Sequence, residues 1–523
     1  MKKQILCLLL LLFYCIRLLA QNAPSIEWQK PLGGSIGEEA FSIQQTANGE
    51  FIIAGWSSSD NGDVTGNHGL TDYWIVKLDS SGNTIWQRCL GGSDNDDGKS
   101  IQQTTDGGFI IAGYSQSNNG DVSGNHGSGD YWVVKLDSSG DIEWQKSFGG
   151  SDIEAANSIQ QTLDGGLIVA GFSESNDGDV SGNHGYKDYW IVKLNSDTNI
   201  HWQKSLGGSS DDYPYSIRQT IDSGFIIAGY SRSNDEDVTG NHGLRDFWIV
   251  KLDSLGNMQW QKSLGGSDNE AAYSIQQTTE GGFIVAGSSA SNDGDVSFNH
   301  GSSDCWIVKL DSSGSIEWQK SLGGSYTDEA YSIQQTSDSG FVVAGWSGSS
   351  DGDASLNHGL GDFWVVKLDT SGSIQWEKSM GGTDYEWAYS IDQTADAGYI
   401  VAGFSGSNNG DVSSNHGNYD YWVVKLSPEI PLGLPAVSNE KIFSVYPNPN
   451  NGNVTITATF TSPQSLVIKL TDIVGREVLS FDEGLVSGNF TAQYDLSTLS
   501  SGTYFLKMIH DETSEVKKIE IEK

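Results

Sequence analysis

Residues 130–146 read DYWVVKLDSSGDIEWQK, and this stretch decides the fold. Two runs of apolar and aromatic residues flank a Ser-Ser-Gly turn, a pattern that predicts a β-hairpin. A lone hairpin is only marginally stable in water, so it needs neighbours that cover its faces. The chain supplies them, because the tryptophan of the second strand recurs every 58 residues. It stands at Trp28, Trp86, Trp144, Trp202, Trp260, Trp318 and Trp376.

Each repeat unit contains four strand-like segments. In one unit they are residues 158–162, 167–171, 189–194 and 200–204. Short turns join the first segment to the second and the third to the fourth, and a long polar loop joins the second to the third. Four antiparallel strands in each unit are typical of the blade of a β-propeller.

The two ends of the repeat complement each other. The chain enters with a fourth strand at residues 26–30 and leaves after a third strand at residues 422–426. Joined, they make one blade and remove a free sheet edge. The sequence therefore predicts an all-β, seven-bladed β-propeller over residues 25–427, whose last blade is closed by the N-terminal strand. We expect Trp28 to lie close to Trp422, and the repeated tryptophans to pack between blades.

Acidic residues dominate the charge of the chain. It carries 67 Asp and Glu against 29 Lys and Arg, a formal net charge of −38. Such a surface repels nucleic acid and anionic lipid, and it favours cations, basic partners or neutral glycans. The same charge also serves solubility alone. Two cysteines lie in the repeat, Cys89 and Cys305, and we expect both to be buried free thiols.

The N-terminal segment, residues 1–20, predicts a secretory signal peptide. It has a basic start, an apolar run and a small residue at its end. We expect cleavage between Ala20 and Gln21. No later segment is apolar and long enough to predict a membrane span.

The long loops and the blade-to-blade connections share one rim, so we expect function on this long-loop face. Three columns of residues recur there. The first is Asp63, Asp121, Asp179, Asp237, Asp295, Asp353 and Asp411. The second is His68, His126, His184, His242, His300, His358 and His416. The third is Asp72, Asp130, Asp188, Asp246, Asp304, Asp362 and Asp420.

These columns allow three interpretations. Asp and Asn side chains can fold the loop by hydrogen bonds to the backbone. The first Asp column can bind Ca²⁺, which prefers oxygen ligands, although its spacing differs from an Asp-x-Asp-x-Asp-Gly loop. A transition metal is disfavoured, because each loop has one His and no Cys or second His nearby. Apart from possible Ca²⁺, we predict no cofactor.

Catalysis finds little support in the repeat. Near-identical units provide no unique acid–base pair, and we find no nucleophile–His–acid arrangement or phosphate loop. Departures from the repeat are the best indicators of an asymmetric site. They are Arg218, Glu236, Phe298, Leu356, Trp387 and Asp392.

The turn of residues 137–140 with Trp144 resembles the tryptophan-docking motif of quinoprotein-type propellers, one residue shorter. This resemblance implies the fold alone, because no quinone or catalytic Ca²⁺ residue can be matched.

Prolines interrupt the repeat and mark residues 428–440 as a linker. Residues 441–523 lack the repeat, and their alternating runs predict a small immunoglobulin-like β-sandwich. Their motifs resemble the type IX secretion sorting domain, in a type A-like form. The matching residues are Tyr446, Pro447, Asn448, Pro449, Gly452, Asp472, Gly475, Gly502 and Tyr504. The resemblance implies export across the outer membrane of a Gram-negative cell by the type IX secretion machinery, removal of the domain, and release or surface attachment.

The sequence thus predicts a secreted or surface-displayed, non-enzymatic propeller that binds a glycan or a protein. We expect a monomer. Two alternatives stay open: an extracellular polysaccharide-active enzyme, and a purely structural surface component.

Overall fold

The computed structural model describes residues 23–429, 443–472, 476–510 and 513–523, and every regular element in these ranges is a β-strand. The predicted signal peptide and its cleavage site lie outside the described residues, as does most of the predicted linker. The chain divides after Glu429 into two compact units, and the second begins at Ile430.

The first unit consists of four-stranded antiparallel sheets, which we number as blades in chain order. It opens with strand β1 (Ile26–Leu32). Blade one contains β2 (Glu38–Gln45), β3 (Phe51–Ser57), β4 (Asp72–Leu78) and β5 (Thr84–Leu90). Blade two contains β6 (Asp96–Gln103), β7 (Phe109–Ser115), β8 (Asp130–Leu136) and β9 (Ile142–Phe148). Blade three contains β10 (Glu154–Gln161), β11 (Leu167–Ser173), β12 (Asp188–Leu194) and β13 (Ile200–Leu206).

The remaining blades repeat this order. Blade four contains β14 (Asp212–Gln219), β15 (Phe225–Ser231), β16 (Asp246–Leu252) and β17 (Met258–Leu264). Blade five contains β18 (Glu270–Gln277), β19 (Phe283–Ser289), β20 (Asp304–Leu310) and β21 (Ile316–Leu322). Blade six contains β22 (Asp328–Gln335), β23 (Phe341–Ser347), β24 (Asp362–Leu368) and β25 (Ile374–Met380). Blade seven contains β26 (Glu386–Gln393), β27 (Tyr399–Ser405) and β28 (Asp420–Leu426), and β1 pairs with β28 as its fourth strand.

The N-terminal strand completes the last sheet, as the sequence predicts. Trp28 pairs with Lys425, and Pro31 pairs with Trp422. The indole Nε1 of Trp422 also donates to Gln29 Oε1 at 2.7 Å. Both chain ends of the repeat are therefore held in one sheet.

Serine hydroxyls in the first strands link each blade to the next. In blade one the hydroxyl of Ser42 accepts a hydrogen bond from Ile101 N of blade two. The last blade returns to the first, because Ile43 N donates to Ser390 Oγ at 3.2 Å. The seven acceptors are Ser42, Ser100, Ser158, Ser216, Ser274, Ser332 and Ser390, at 3.2–3.4 Å. The first strands thus form a closed ring.

Aromatic side chains fill the space between blades. Tyr131 of blade two packs on Trp190 of blade three at 4.6 Å between ring centroids, and its hydroxyl donates to Trp190 O at 2.8 Å. The third-strand tryptophans are fully buried, as predicted. The fourth-strand tryptophans are half-buried except Trp376, and five of them rest against the turn glycine of the next blade, as Trp86 does against Gly140. Cys305 and Cys89 are free and buried in the described repeat.

The second unit is a five-stranded sheet with its own apolar core. Its strands are β29 (Phe443–Tyr446), β30 (Asn453–Thr471), β31 (Glu477–Asp495), β32 (Gly502–His510) and β33 (Thr513–Ile521). The long strand β30 pairs with β31 along one edge. On its other edge β29 pairs with its first half and β32 with its second half.

Candidate binding site at the channel mouth

The recurring Asp and His residues of the long loops make contacts within and between blades. His126 Nδ1 lies 2.5 Å from Asp130 Oδ2, and His126 N donates to the same oxygen at 3.0 Å. The carboxyl of Asp130 is fully buried, and burial raises its pKa despite these contacts. The equivalent His–Asp contact occurs in every long loop. It holds the loop onto the start of the third strand.

The Asp residues of the first column, the candidates for Ca²⁺ binding, form hydrogen bonds with the backbone of the connection that leads into their blade. Gly91 N donates to Asp121 Oδ2 at 3.3 Å, and Asp121 N donates to Gly91 O at 2.9 Å. The six other members of the column accept from a glycine in the same way. Throughout the described residues, no group of three or more His, Cys, Asp or Glu side chains is placed to hold a metal ion. These contacts favour the backbone-anchoring interpretation, while Ca²⁺ binding stays a prediction.

Three of the predicted departures lie in the long loops of blades four, five and six. Glu236 has φ of +52° where the sister loops carry glycine, so it replaces a residue suited to this conformation. Phe298 and Leu356 are each 56% exposed. Phe298 contacts only its own loop's His300 among the aromatic pairs of the described residues. No hydrogen bond, ion pair or ring contact within the described residues joins these three to one another.

A β-bulge in each first strand creates a feature that sequence reasoning missed. In blade one Ala40 pairs with Gly55 and Ser42 pairs with Ala54, so Phe41 is the extra residue. Bulges re-aim side chains and are frequent next to functional sites. The same irregularity occurs in the other six blades. The seven bulge residues are Phe41, Lys99, Asn157, Tyr215, Tyr273, Tyr331 and Tyr389.

The five aromatic bulge residues contact one another from blade to blade, and we call them the aromatic crescent. The centroid of Tyr273 lies 4.9 Å from that of Tyr215 and 4.7 Å from that of Tyr331. Tyr389 continues the series, 5.1 Å from Tyr331 and 4.9 Å from Phe41. All five side chains are half-buried. They form a curved aromatic wall directly beside the serine ring.

Further aromatic residues widen the crescent at Tyr389. Trp387, one of the predicted departures, lies 5.3 Å from Trp346 and 6.2 Å from Phe404. Phe404 contacts Tyr419 at 4.9 Å. At Tyr215 a second group adjoins the crescent, formed by Phe172, Tyr213 and Tyr230. The two groups extend the aromatic surface onto the second strands.

Charged groups stand among these rings. The Tyr331 hydroxyl donates to Glu329, and burial raises the pKa of Glu329. Burial likewise raises the pKa of Glu39, opposed by the charge of Lys99. Lys99 Nζ lies 3.7 Å from the centroid of Phe41, a cation–π contact at one end of the crescent. The crescent and its neighbours therefore combine flat apolar surfaces with a small number of hydrogen-bonding groups.

Below the crescent, five serines of the ring border a polar cavity of about 220 Å³ in the central channel. The residue two positions after each serine also lines it. This layer consists of Gln44, Gln102, Gln160, Arg218, Gln276, Gln334 and Asp392. Two predicted departures, Arg218 and Asp392, thus lie in the same layer, in blades four and seven. The remaining departure, Trp387, lies beside the aromatic crescent.

One signal in the sequence could have revealed the crescent. The residue before each repeated serine is aromatic in five units and Lys or Asn in the other two. Strict alternation assigns this residue and the following isoleucine to one face of the strand. The bulge separates the two, because Ile43 is buried whereas Phe41 is half-buried at the mouth.

In the second unit, the proposed sorting motif forms its first turn and strand ends. Asn448 Nδ2 donates to Lys518 O at 3.0 Å, and Glu520 N donates to Asn448 Oδ1 at 2.8 Å. Gly452 has φ of +106°, and its carbonyl accepts from Leu496 N at 2.6 Å. Tyr446 is exposed, and both proline bonds that follow, at Pro447 and Pro449, are cis.

The later motif residues lie at the remaining turns of this unit. Asp472 accepts from Arg476 N at 3.0 Å and from Arg476 Nε at 3.1 Å. The Tyr504 hydroxyl donates to Ser500 O at 3.0 Å, close to Gly502 at the start of β32. Gly475 lies outside the described residues.

Comparison with known proteins gives one partial sequence match and several distant structural matches. A stretch of 162 residues is 27% identical to the regulatory protein FlaEY of Caulobacter vibrioides; it covers 28% of this chain and only 17% of that protein. A fungal alcohol oxidase of the AA5 family in complex with copper aligns at 12% identity and TM-score 0.42, over 96% of this chain and all of that one. Puromycin hydrolase aligns at 12% identity and TM-score 0.42, over 84% of this chain and 62% of that one. None of these matches carries an argument about activity.

The C-terminal unit gives a specific match. Residues 444–522 match the secretion system C-terminal sorting domain, which confirms the sorting-domain interpretation for this part of the chain. Such a domain indicates export by the type IX system. No helix in the described part of the chain is long and apolar enough to cross a membrane.

Proposed function

We propose that the protein is a secreted or surface-attached, non-enzymatic glycan-binding scaffold. Its repeat region is a seven-bladed β-propeller with quinoprotein-like packing of Trp on turn glycine, and its C-terminal unit is an immunoglobulin-like, type A-like sorting sandwich. The signal peptide, cut between Ala20 and Gln21, directs the first export step. The type IX machinery then takes the chain across the outer membrane, and the mature protein is a monomer.

The aromatic crescent carries the binding proposal. Five rings from five consecutive blades, counted through the closure, form a wall that is partly exposed. Binding sites commonly combine such aromatic surface with a few polar groups that fix orientation. The apolar faces of pyranose rings can stack on these side chains, and tyrosine hydroxyls and carboxylates can bond sugar hydroxyls.

The charge distribution favours a neutral glycan over an acidic one. The whole chain is strongly acidic, with 67 Asp and Glu against 29 Lys and Arg, so a polyanion would be repelled. The crescent, and not the Asp121 loop, is therefore the binding surface that we propose. In that loop Asn125 is engaged with backbone, since its Nδ2 donates to Ser115 O at 3.0 Å.

The repeat itself supplies variants that should fold. Blade three carries Asn157 at the bulge and Ala155 two residues before it, so Tyr273→Asn and Trp387→Ala each introduce a residue that a sister blade already holds. A glycan array identifies a ligand, and calorimetry measures its affinity. We expect each variant to bind about 5-fold more weakly, since one aromatic contact contributes about 1 kcal/mol. Tyr186→Ala, at a 73% exposed tyrosine outside the crescent, is the matched control.

Two results would contradict this proposal. One is the absence of any array ligand for the folded, full-length mature protein. The other is unchanged affinity in both Tyr273→Asn and Trp387→Ala. If the protein binds neither glycan nor protein, the purely structural alternative gains support.

A polysaccharide-active enzyme is the second candidate, because of the acids at the mouth. Glu39 and Glu329 both act on Tyr389 electrostatically, so both stand close to the crescent, and burial raises the pKa of each. A carboxyl kept protonated by burial can serve as a general acid in glycoside cleavage. Release of reducing sugars by the wild type, lost in Glu329→Gln, would establish this candidate. Binding without release would exclude it for that ligand.

A further inference from the structure

The polar layer of the channel is rich in hydrogen-bond donors. Gln102 Oε1 accepts from Gln161 N at 2.7 Å, and the other four glutamines of the layer accept a backbone N–H of the next blade in the same way. An amide whose oxygen is used in this way offers its NH₂ group to its surroundings. Gln334 Nε2 donates to Asp392 Oδ1. In the described part of the chain, no protein acceptor takes the amide N–H groups of Gln44, Gln102, Gln160 and Gln276.

Arg218 adds further donors and removes an acceptor. It stands where five blades have glutamine, and a guanidinium has donors alone. Among the equivalent N–H groups of the described residues, that of Gln277 is therefore the one to which the preceding blade offers no side-chain acceptor. Arg218 Nη1 donates to Ile217 O at 2.9 Å and to Ser158 Oγ at 3.3 Å. No carboxylate in the described residues pairs with Arg218, so its positive charge is not neutralised by the protein nearby.

Asp392 does not supply the missing counter-charge. It replaces glutamine conservatively, because its Oδ2 accepts from Gln45 N at 3.0 Å and its Oδ1 from Gln334 Nε2 at 2.9 Å. It belongs to blade seven, three blades from Arg218 in a ring of seven sheets, which is the largest separation the ring allows. One side of the cavity is thus cationic and donor-rich, and the other carries the single acid of the layer.

We propose that the channel binds a small anion of carboxylate size against Arg218. The cavity of about 220 Å³ accommodates such an ion together with water. The guanidinium would bind it through charge-assisted, bidentate hydrogen bonds. The amides of the neighbouring blades and the Gln277 N–H supply the remaining donors. This site does not depend on glycan binding at the crescent.

The test uses ¹³C-acetate as the probe and the full-length mature protein, with ionic strength held constant by chloride-free buffer salts. Broadening of the acetate NMR signal is measured against protein concentration in the wild type, Arg218→Gln and Asp392→Gln. Both variants introduce the residue that five blades carry, so both keep the ring fold. We expect saturable binding in the wild type, at least about 10-fold weaker binding in Arg218→Gln, and tighter binding in Asp392→Gln, which removes a repelling charge.

Two outcomes would overturn the proposal. Acetate that binds Arg218→Gln as tightly as the wild type would show a site elsewhere. A wild type without saturable acetate broadening would show that water alone satisfies Arg218. Glycan affinity of the same variants separates the two proposals, because Arg218→Gln leaves the crescent residues unchanged.

Discussion

The seven serines of the channel wall are identical, whereas the seven bulge residues directly before them are four tyrosines, a phenylalanine, a lysine and an asparagine. The serines each accept one backbone N–H from the next blade, a duty that every blade shares. The five aromatic bulge residues form a crescent over five of the seven blades, and Lys99 and Asn157 occupy the remaining two. In this repeat protein, a residue that is the same in every blade thus serves the packing of each blade. A position that differs between blades is where the ring can form a binding site.

The largest effect should come from the most uniform part of the repeat. Trp248 is fully buried, packs 4.5 Å from Tyr189, and donates from Nε1 to Gln261 at 2.9 Å. We expect Trp248→Ala to lower the free energy of unfolding by about 3–5 kcal/mol, because it leaves a cavity between two blades. Urea unfolding followed by circular dichroism measures the change.

Trp387→Ala is the matching experiment at a position that differs between blades. Trp387 is half-buried, and two sister blades hold alanine there, so we expect a loss of no more than about 1.5 kcal/mol from the missing ring contacts. Equal losses for Trp248→Ala and Trp387→Ala would contradict the distinction between packing and site residues.

The uniform loops should show a pH dependence of intermediate size. Burial raises the pKa of Asp72 to about 6, against the hydrogen bonds from His68 that lower it. Because the folded pKa exceeds the unfolded value of 3.8, this group's contribution is full below about pH 4 and is lost as pH rises through about 6. Relative to Asp72→Asn, the wild type should lose about 2–3 kcal/mol of unfolding free energy between pH 4 and pH 7.

Asp79 provides the control for this measurement. Hydrogen bonds from Asn83 lower its pKa, so Asp79→Asn should change the pH dependence in the opposite direction. Parallel pH curves for the wild type and Asp72→Asn would show that Asp72 titrates normally in the folded loop.

The same contrast explains what could be predicted from the sequence. The 58-residue period fixed the hairpins, and the unmatched strand at Trp28 led to the closure of blade seven, because both depend on apolar patterns repeated in every unit. The crescent was missed, since a bulge breaks the two-residue alternation at Phe41 and its equivalents. The sequence shows that Arg218 departs from the repeat. The donor-rich layer around it could not be predicted, because its hydrogen bonds link neighbouring blades and no single repeat unit contains them.

The smallest expected effect on stability distinguishes the serine ring from the aromatic crescent at two neighbouring residues of strand β14. Ser216 Oγ accepts from Ile275 N at 3.4 Å, a long bond, so Ser216→Ala should reduce the free energy of unfolding by about 1 kcal/mol. Tyr215→Asn, one residue earlier, should weaken glycan binding instead, because it removes a ring from the crescent while blade three tolerates Asn157 at the same place. Urea unfolding and calorimetry on both variants measure the two effects. If Ser216→Ala weakened binding as much as Tyr215→Asn does, the serine ring would belong to the site and not only to the wall.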